Sequence, residues 1–422
     1  MALSDYVIRV YKAPSAVDAQ AWDALLAQQA LPSPFMRHAY LAALHDSGSA
    51  CATTGWNAHF ITLHAGNALA AACVVYLKDH SYGEYVFDWA WASAYQQHGV
   101  PYYPKAVVAV PFTPVPGTRL LARDDAARAA LVQALIAWCQ QQAVSSLHLL
   151  FGAEADTQAC ADAGLMLRNT VQFHWKNVAP TLGTTCAALP PDGAHFALGR
   201  PSGKTCLYAD FEEFLASLAQ DKRKKIRQER RKVAQAGVTF RHSLGSETSP
   251  TDWEFFYQCY ERTYLEHGNA PYLNRDFFAR MAQAMPESWL LFVAERDGRP
   301  IASSLIAIQA HSTGAASQFD SKKVAYGRYW GALENVDCLH FEACYYQPLE
   351  WCIANGIERF EGGAQGEHKM ARALLPVVTS SAHRIAHPAF ADAVARFLER
   401  EGAGVDNYLD ELRQRSPLKN AV

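Results

Sequence analysis

The ten cysteines of this 422-residue chain never stand as a CxxC pair. That excludes a zinc cluster or a disulfide framework as the organising feature, and scattered single thiols fit a reducing compartment. Charge of one sign is also missing: 38 Lys and Arg stand against 41 Asp and Glu, a formal net charge of -3. The molecule as a whole is therefore no polyanion binder, DNA is not an expected partner, and any anion-binding surface has to be local. No apolar run approaches membrane-spanning length, and the stretch Met1 to Tyr11 carries Asp5 and Arg9 without an apolar signal core. A cytoplasmic protein with no membrane span is expected. Disorder is excluded as well, since 50% of the residues are hydrophobic and 19% are charged.

What is present is enough chain for two cores. Strand patterns fall at Tyr6 to Tyr11, Asn57 to Leu63, Ala68 to Leu77, Ala106 to Val110, Leu147 to Phe151 and Met166 to Trp175. Helices are expected after Ser15, with Asp18 completing a capping box, near Arg37, and from Asp124 to Gln142. A stretch rich in Pro, Gly, Thr and Ala follows, from Val178 to Cys206. The order then returns. Helices are expected at Thr251 to Glu266 and Arg275 to Ala284, and strands at Trp289 to Glu295, Ile301 to Gln309 and Gly314 to Asp320. A helix from Leu339 to Asn355, a strand from Ile357 to Glu361, a short helix and a strand at Ala382 to Ala386 complete the series. No residue-level repeat accompanies the repeated order.

The densest chemistry lies in Phe360-Glu361-Gly362-Gly363-Ala364-Gln365-Gly366-Glu367-His368-Lys369. A strand that runs into a glycine-rich turn bearing carboxylates and an imidazole is placed for proton transfer. Glu361, Glu367 and His368 are the candidate bases, with Gln365 and Lys369 beside them; the competing reading is a tight turn capping the next helix. Arg328, flanked by Tyr326, Tyr329 and Trp330, suits a carboxylate or phosphate against an aromatic wall. His340, Glu342 and Tyr345 start the next helix. His340 and Glu342 with His368, His383 and His387 fit no HExxH spacing, so no metal site is expected. Lys222 to Lys232 places eight basic residues in eleven on one helix, 221–235, and makes Arg227 and Arg230 candidates for a phosphate-bearing ligand or RNA. Trp89, Trp91, Tyr102 and Tyr103 bracket a loop, Ala92 to Pro101, as core packing or as a substrate groove.

Gln172-Phe173-His174-Trp175, the basic run, Pro271-Tyr272-Leu273, Tyr326 to Gly331, Leu339 to Gln347 and Gly363 to Lys369 together resemble the FemAB-like peptidoglycan biosynthesis/recognition family of predicted N-acyltransferases, within the GNAT superfamily. The resemblance implies an α/β fold of tandem GNAT-like domains, each a mixed, mostly antiparallel sheet flanked by helices. The first spans 1–180 and the second 207–422 with most catalytic candidates, joined by an insertion at 181–206. It implies transfer of an acyl or aminoacyl group from an activated donor to a primary amine on a small-molecule or other amine-bearing acceptor. No tightly bound cofactor is expected; acyl-CoA as co-substrate and aminoacyl-tRNA both stay open as donors. The usual pyrophosphate signature, Gln/Arg-x-x-Gly-x-Gly/Ala, stands cleanly in neither half. After Val110, Pro114 and Pro116 remove two N–H donors and leave Gly117, Thr118 and Arg119; the turn before His340 keeps its donors and is expected to gain Arg328. The competing class is a non-catalytic recognition protein, a degenerate GNAT pair holding an anionic ligand or RNA on the basic helix.

Overall fold

A computed structural model of the chain describes residues 6–179, 207–309, 323–363 and 366–419. The insertion read at 181–206, the strand read at Gly314 to Asp320, and Gln365 lie outside the described residues. The strands are β1 (Val7–Tyr11), β2 (Asn57–Ala65), β3 (Ala68–Lys78), β4 (Lys105–Val108), β5 (Leu121–Ala122), β6 (Ser146–Gly152), β7 (Met166–Lys176), β8 (Val238–Leu244), β9 (Trp289–Arg296), β10 (Arg299–Gln309), β11 (Val324–Ala332), β12 (Arg359–Glu361) and β13 (Leu375–Ile385). They form one sheet in the order β1-β2-β3-β4-β6-β13-β7-β12-β11-β10-β9-β8, with β5 against β3.

Each half opens with antiparallel strands and then adds a parallel pair, β4 with β6 and β11 with β12. This is the expected tandem GNAT arrangement. Local sequence fixes the hairpins. Asp297 and Gly298 both adopt positive φ between β9 and β10, as a two-residue turn matched to strand twist requires. The final strands cross between the halves. β13 lies between β6 and β7, and β7 in turn pairs with β12.

The core is shared too. Trp22, Phe35, Tyr40 and Leu44 from the N-terminal half and Phe256, Tyr260, Phe277 and Met281 from the C-terminal half belong to one buried cluster. The Phe35 and Tyr326 rings meet edge to face at 5.2 Å, and the Tyr40 and Phe277 rings at 5.4 Å. Such pairs add to area burial and fix the relative placement of the elements that carry them.

Several elements differ from the sequence reading. Asp18 is itself the N-cap of the helix Ala19–Ala27 and accepts from the amides of Gln20 and Ala21. Residues 92–101, read as a loop, lie mostly in a helix, Trp89–Gln97, whose Trp91 and Tyr95 are buried. The final strand begins at Leu375 rather than Ala382, and a 27-residue helix, Pro388–Gln414, follows it.

Candidate active site at the parting of two strands

β11 and β12 pair over three residues only, from Val324 with Arg359 to Tyr326 with Glu361. Beyond that point β11 continues to Ala332, while the other chain turns away at Gly362-Gly363, Gly363 at φ +87. Tyr326 to Gly331 is therefore strand rather than a turn. β11 also bulges: Leu305 faces Tyr329 and Ile306 faces Gly327, so Arg328 has no partner in the register. A bulge breaks the alternation of side chains. The Arg328 guanidinium accordingly lies 5.0 Å from the ring of its own neighbour Tyr329 and donates to that hydroxyl at 3.2 Å.

Arg328 faces a cleft of about 430 Å³ between the halves. Tyr82, Tyr85, Phe87 and Phe112 of the N-terminal half and Tyr264, Tyr272 and Tyr329 of the C-terminal half line it, together with Gly327 and Gly363. The Phe112 and Tyr272 rings stack at 4.7 Å and 9°. Arg328 reaches across the interface and donates to the Phe112 carbonyl at 3.0 Å and to the Thr113 hydroxyl at 3.2 Å. Its Nε is buried without a partner, and its electrostatic neighbours are the phenols of Tyr329, Tyr40 and Tyr85. Among the described residues no carboxylate forms an ion pair with it. Arg328 thus belongs to the interdomain cleft and not to the turn before His340.

Glu361 is not part of the cleft wall and is 3% exposed. One carboxylate oxygen meets Arg359 at 2.9 Å; the other has no hydrogen bond and sits 3.8 Å from His174 Nε2. Burial pushes Glu361 up to about 7, against the pull of Arg359, Arg119 and Arg328. Burial also holds His174 well below the usual imidazole range, so this contact is not an ion pair. The carboxylate read as an accessible base is sealed within the interface. Tyr326 is buried as well, its hydroxyl donating to Gln309 at 3.2 Å.

A second group gathers on the other arm of the turn. Lys369 donates to the Gly363 carbonyl at 2.9 Å. His368 Nε2 and the Tyr345 hydroxyl are 3.2 Å apart. His340 stands 5.4 Å from the Trp330 ring and 5.7 Å from the Tyr345 ring. Burial pushes Lys369 down to about 8 and His340 down to about 4. His368 is exposed, and is lowered by partial burial and by the charges of Lys369 and Arg372. Gly366 makes room for it, since a β-carbon there would fall 2.4 Å from the imidazole. Tyr345 is presented by a π turn, Glu342–Tyr346, between helical Leu339–Phe341 and Gln347–Ala354. Pro348 explains the turn: it has no N–H for the preceding carbonyls, and the Ser304 hydroxyl donates to Ala343 O at 2.6 Å instead.

The model of the FemAB-like family, described as peptidoglycan biosynthesis/recognition, matches residues 13–180 and 204–420. The chain belongs to that family. Three solved structures resemble the FemAB-like chain over nearly its whole length. The C-terminal domain of a putative lysylphosphatidylglycerol synthetase from Agrobacterium fabrum matches at TM-score 0.50 and 12% identity, covering 92% of this chain and 97% of that one. FemX matches at 0.50 and 10%, covering 90% and 98%. L-PGS from Bacillus licheniformis matches at 0.50 and 11%, covering 90% and 97%. At these identities the likeness is one of fold. No curated protein matches.

The remaining sequence candidates of the FemAB-like chain have other work. Glu367 accepts from the Tyr408 hydroxyl at 2.8 Å and pairs with Arg415 at 3.2 Å, fastening the C-terminal helix. Arg227 pairs with Glu212, and Arg230 with Glu342 at 3.1 Å and Glu350 at 2.7 Å. Arg230 and Glu342, both read as ligand-binding, thus hold each other. Within the basic helix Gln220–Gln235, Glu229 is buried and accepts from Tyr346 and from Arg372, the latter at 2.8 Å. His383 lies away from His340 and His368, its Nδ1 2.8 Å from that of His148.

The turn after Val110 spends its donors internally. Gly117 N–H donates to Phe151 O and Thr118 N–H to Leu31 O, each at 3.0 Å, and Arg119 N–H donates to the Asp156 carboxylate. A pyrophosphate finds no free amide among those three. The residues missed from sequence are the cleft wall of the first half, Tyr82, Tyr85, Phe87 and Phe112. The aromatic density from Tyr82 to Trp91 was the only signal for the first three.

Proposed function

We propose that this FemAB-like chain transfers an acyl or aminoacyl group from an activated donor, acyl-CoA or aminoacyl-tRNA, to a primary amine. The observation that supports this reading is the parting of β11 and β12, where the aromatic cleft and the Tyr345–His368–Lys369 group meet at Gly363. Acyl transfer needs an amine that has lost its proton, a polarised carbonyl and a protonated leaving group. His368 is neutral at neutral pH and exposed, and takes the proton as the amine nitrogen bonds to the carbonyl carbon. Among the described residues the edge of β11 past Tyr326 carries no strand partner on the β12 side, and it offers amides to the developing oxyanion. As the carbonyl–sulfur or carbonyl–oxygen bond breaks, Tyr345, kept protonated by burial, or the Lys369 ammonium supplies the leaving group's proton. Glu361 acts at a distance, as the counter-charge that positions Arg359.

The test pairs an acyl-CoA panel, read by thiol release, with aminoacyl-tRNA, read by discharge, each with a set of primary amines. Wild type transfers from one donor class, while His368→Ala and Tyr345→Phe lose at least about a hundredfold in rate, within the range for acid–base groups. A His368→Ala protein as fast as wild type would remove this group from the mechanism.

A further inference from the structure

The interdomain cleft limits its own ligand. Its volume, about 430 Å³, suits a small molecule. Its wall is aromatic on both sides, and among the described residues the one permanently charged side chain in it is Arg328. That guanidinium keeps a buried Nε without a partner and, among the described residues, has no carboxylate within ion-pair distance; Glu361 feels its charge only from farther off. The nearby acids are committed elsewhere. Glu84 and Asp88 lie in the segment that supplies Gly83 to Trp89, but both carboxylates turn inward to Lys105. Glu361 is held by Arg359.

We infer that the cleft binds a carboxylate with an apolar, aromatic body, and that the acceptor amine is carried by that molecule, an aromatic amino acid or a close relative. The second clause rests on the transferase reading above; the first does not. A carboxylate pairs with a guanidinium through two parallel hydrogen bonds, and one negative charge balances one positive charge. A phosphate dianion would leave net charge in an apolar site, which is costly. The stacked Phe112–Tyr272 pair offers the ligand ring a face or an edge. Among the described residues the wall has no carboxylate to hold an ammonium, and Arg328 disfavours a second positive charge. The amine is therefore bound in its neutral, nucleophilic form.

Binding measured by calorimetry on the full chain, without any donor, tests this. The probes are 3-phenylpropionate, L-phenylalanine, phenethylamine and phenyl phosphate. The expected order places 3-phenylpropionate and L-phenylalanine ahead of phenyl phosphate by about tenfold, with phenethylamine weakest. Arg328→Gln weakens both carboxylates by about ten- to a hundredfold, and Arg328→Lys, which keeps the charge but not the fork, by less. Phenethylamine binding as well as 3-phenylpropionate, phenyl phosphate binding best, or carboxylates indifferent to both variants would each overturn the assignment. Because wild type alone ranks the probes, a variant that fails to fold does not protect the proposal. Carboxylates bound as expected but never acylated by any donor would sink the transferase reading while leaving the ligand class standing.

Discussion

Lys369 donates its ammonium proton to the carbonyl of Gly363 at 2.9 Å and so closes the turn that begins where β12 ends. Gly363 lines the cleft, and Lys369 follows His368 directly. One hydrogen bond therefore connects the cleft wall with the segment that carries His368.

That lysine makes stability depend on pH in an unusual direction. Burial lowers it from 10.5 to about 8. Below pH 8 it is protonated folded and unfolded, and the burial cost is fully present. Between pH 8 and 10.5 the folded chain has released the proton and the unfolded chain has not, so stability rises with pH. Comparing urea midpoints of wild type and Lys369→Met isolates the effect. Wild type should gain on the variant by on the order of 2 kcal/mol from pH 7.5 to 10. A constant gap across that window would show that Lys369 titrates normally.

Arg119 and Arg328 should fail in different ways. Arg119 is fully buried and donates to the carbonyls of Leu150 and Val115. Removing it strands both acceptors and opens a cavity in the interface, so Arg119→Ala should cost about 3–5 kcal/mol in chemical denaturation. Affinity for 3-phenylpropionate in the surviving folded protein should stay within about twofold. A loss of affinity matching that of Arg328→Gln would mean that Arg119 also serves the ligand.

Lys105 anchors the cleft's outer wall. It is fully buried and donates to Ser81 at 2.7 Å, to Glu84 at 2.8 Å and to Asp88. Lys105→Met leaves Asp88 buried without its cation and Glu84 with only Lys78, 3.9 Å away, at a cost of about 3–5 kcal/mol. Adding Asp88→Asn removes one of those charges and should recover part of the loss. Thermal melts of the single and double variants measure it; a double variant less stable than the single would contradict the pairing.

Gly331 sits where β11 meets the helix Pro250–Glu266. A β-carbon there would lie 1.9 Å from the Cys259 carbonyl oxygen, a backbone atom that cannot rotate away. Gly331→Ala should destabilise the chain by at least about 2 kcal/mol, in the range of overpacked cores, and shift the cleft's Tyr329 with it. An unchanged melting temperature would refute this close approach.

The sequence made some of this visible and hid the rest for physical reasons. The tandem order of elements was legible because each strand and helix announces itself locally, as Asp297-Gly298 does for its hairpin. Arg328 beside aromatic side chains was legible for the same reason. Its other wall was not, because Phe112 stands 216 residues away and adopts positive φ. The basic helix was legible only in part: its run of positive charge is local, whereas Glu212, Asp337, Glu342 and Glu350, which pair with Arg227, Lys232 and Arg230, lie outside it. The burial of Glu361 was not legible, because its neighbour His174 comes from the other half. The bulge that turns Arg328 into the cleft has no sequence mark at all.

The crossing of β13 into the N-terminal half has a consequence for how the molecule is made. His148 on β6 and His383 on β13 touch across 235 residues of chain. A nascent chain that has only reached β7 holds an empty seat between β6 and β7, two strand edges open to a wrong partner. That seat fills only after nearly all of the second half has been synthesised, and pairing over such a span is slow. The two halves mature together, and cutting the gene at the insertion would yield one fragment lacking a strand and another carrying a strand with nowhere to go.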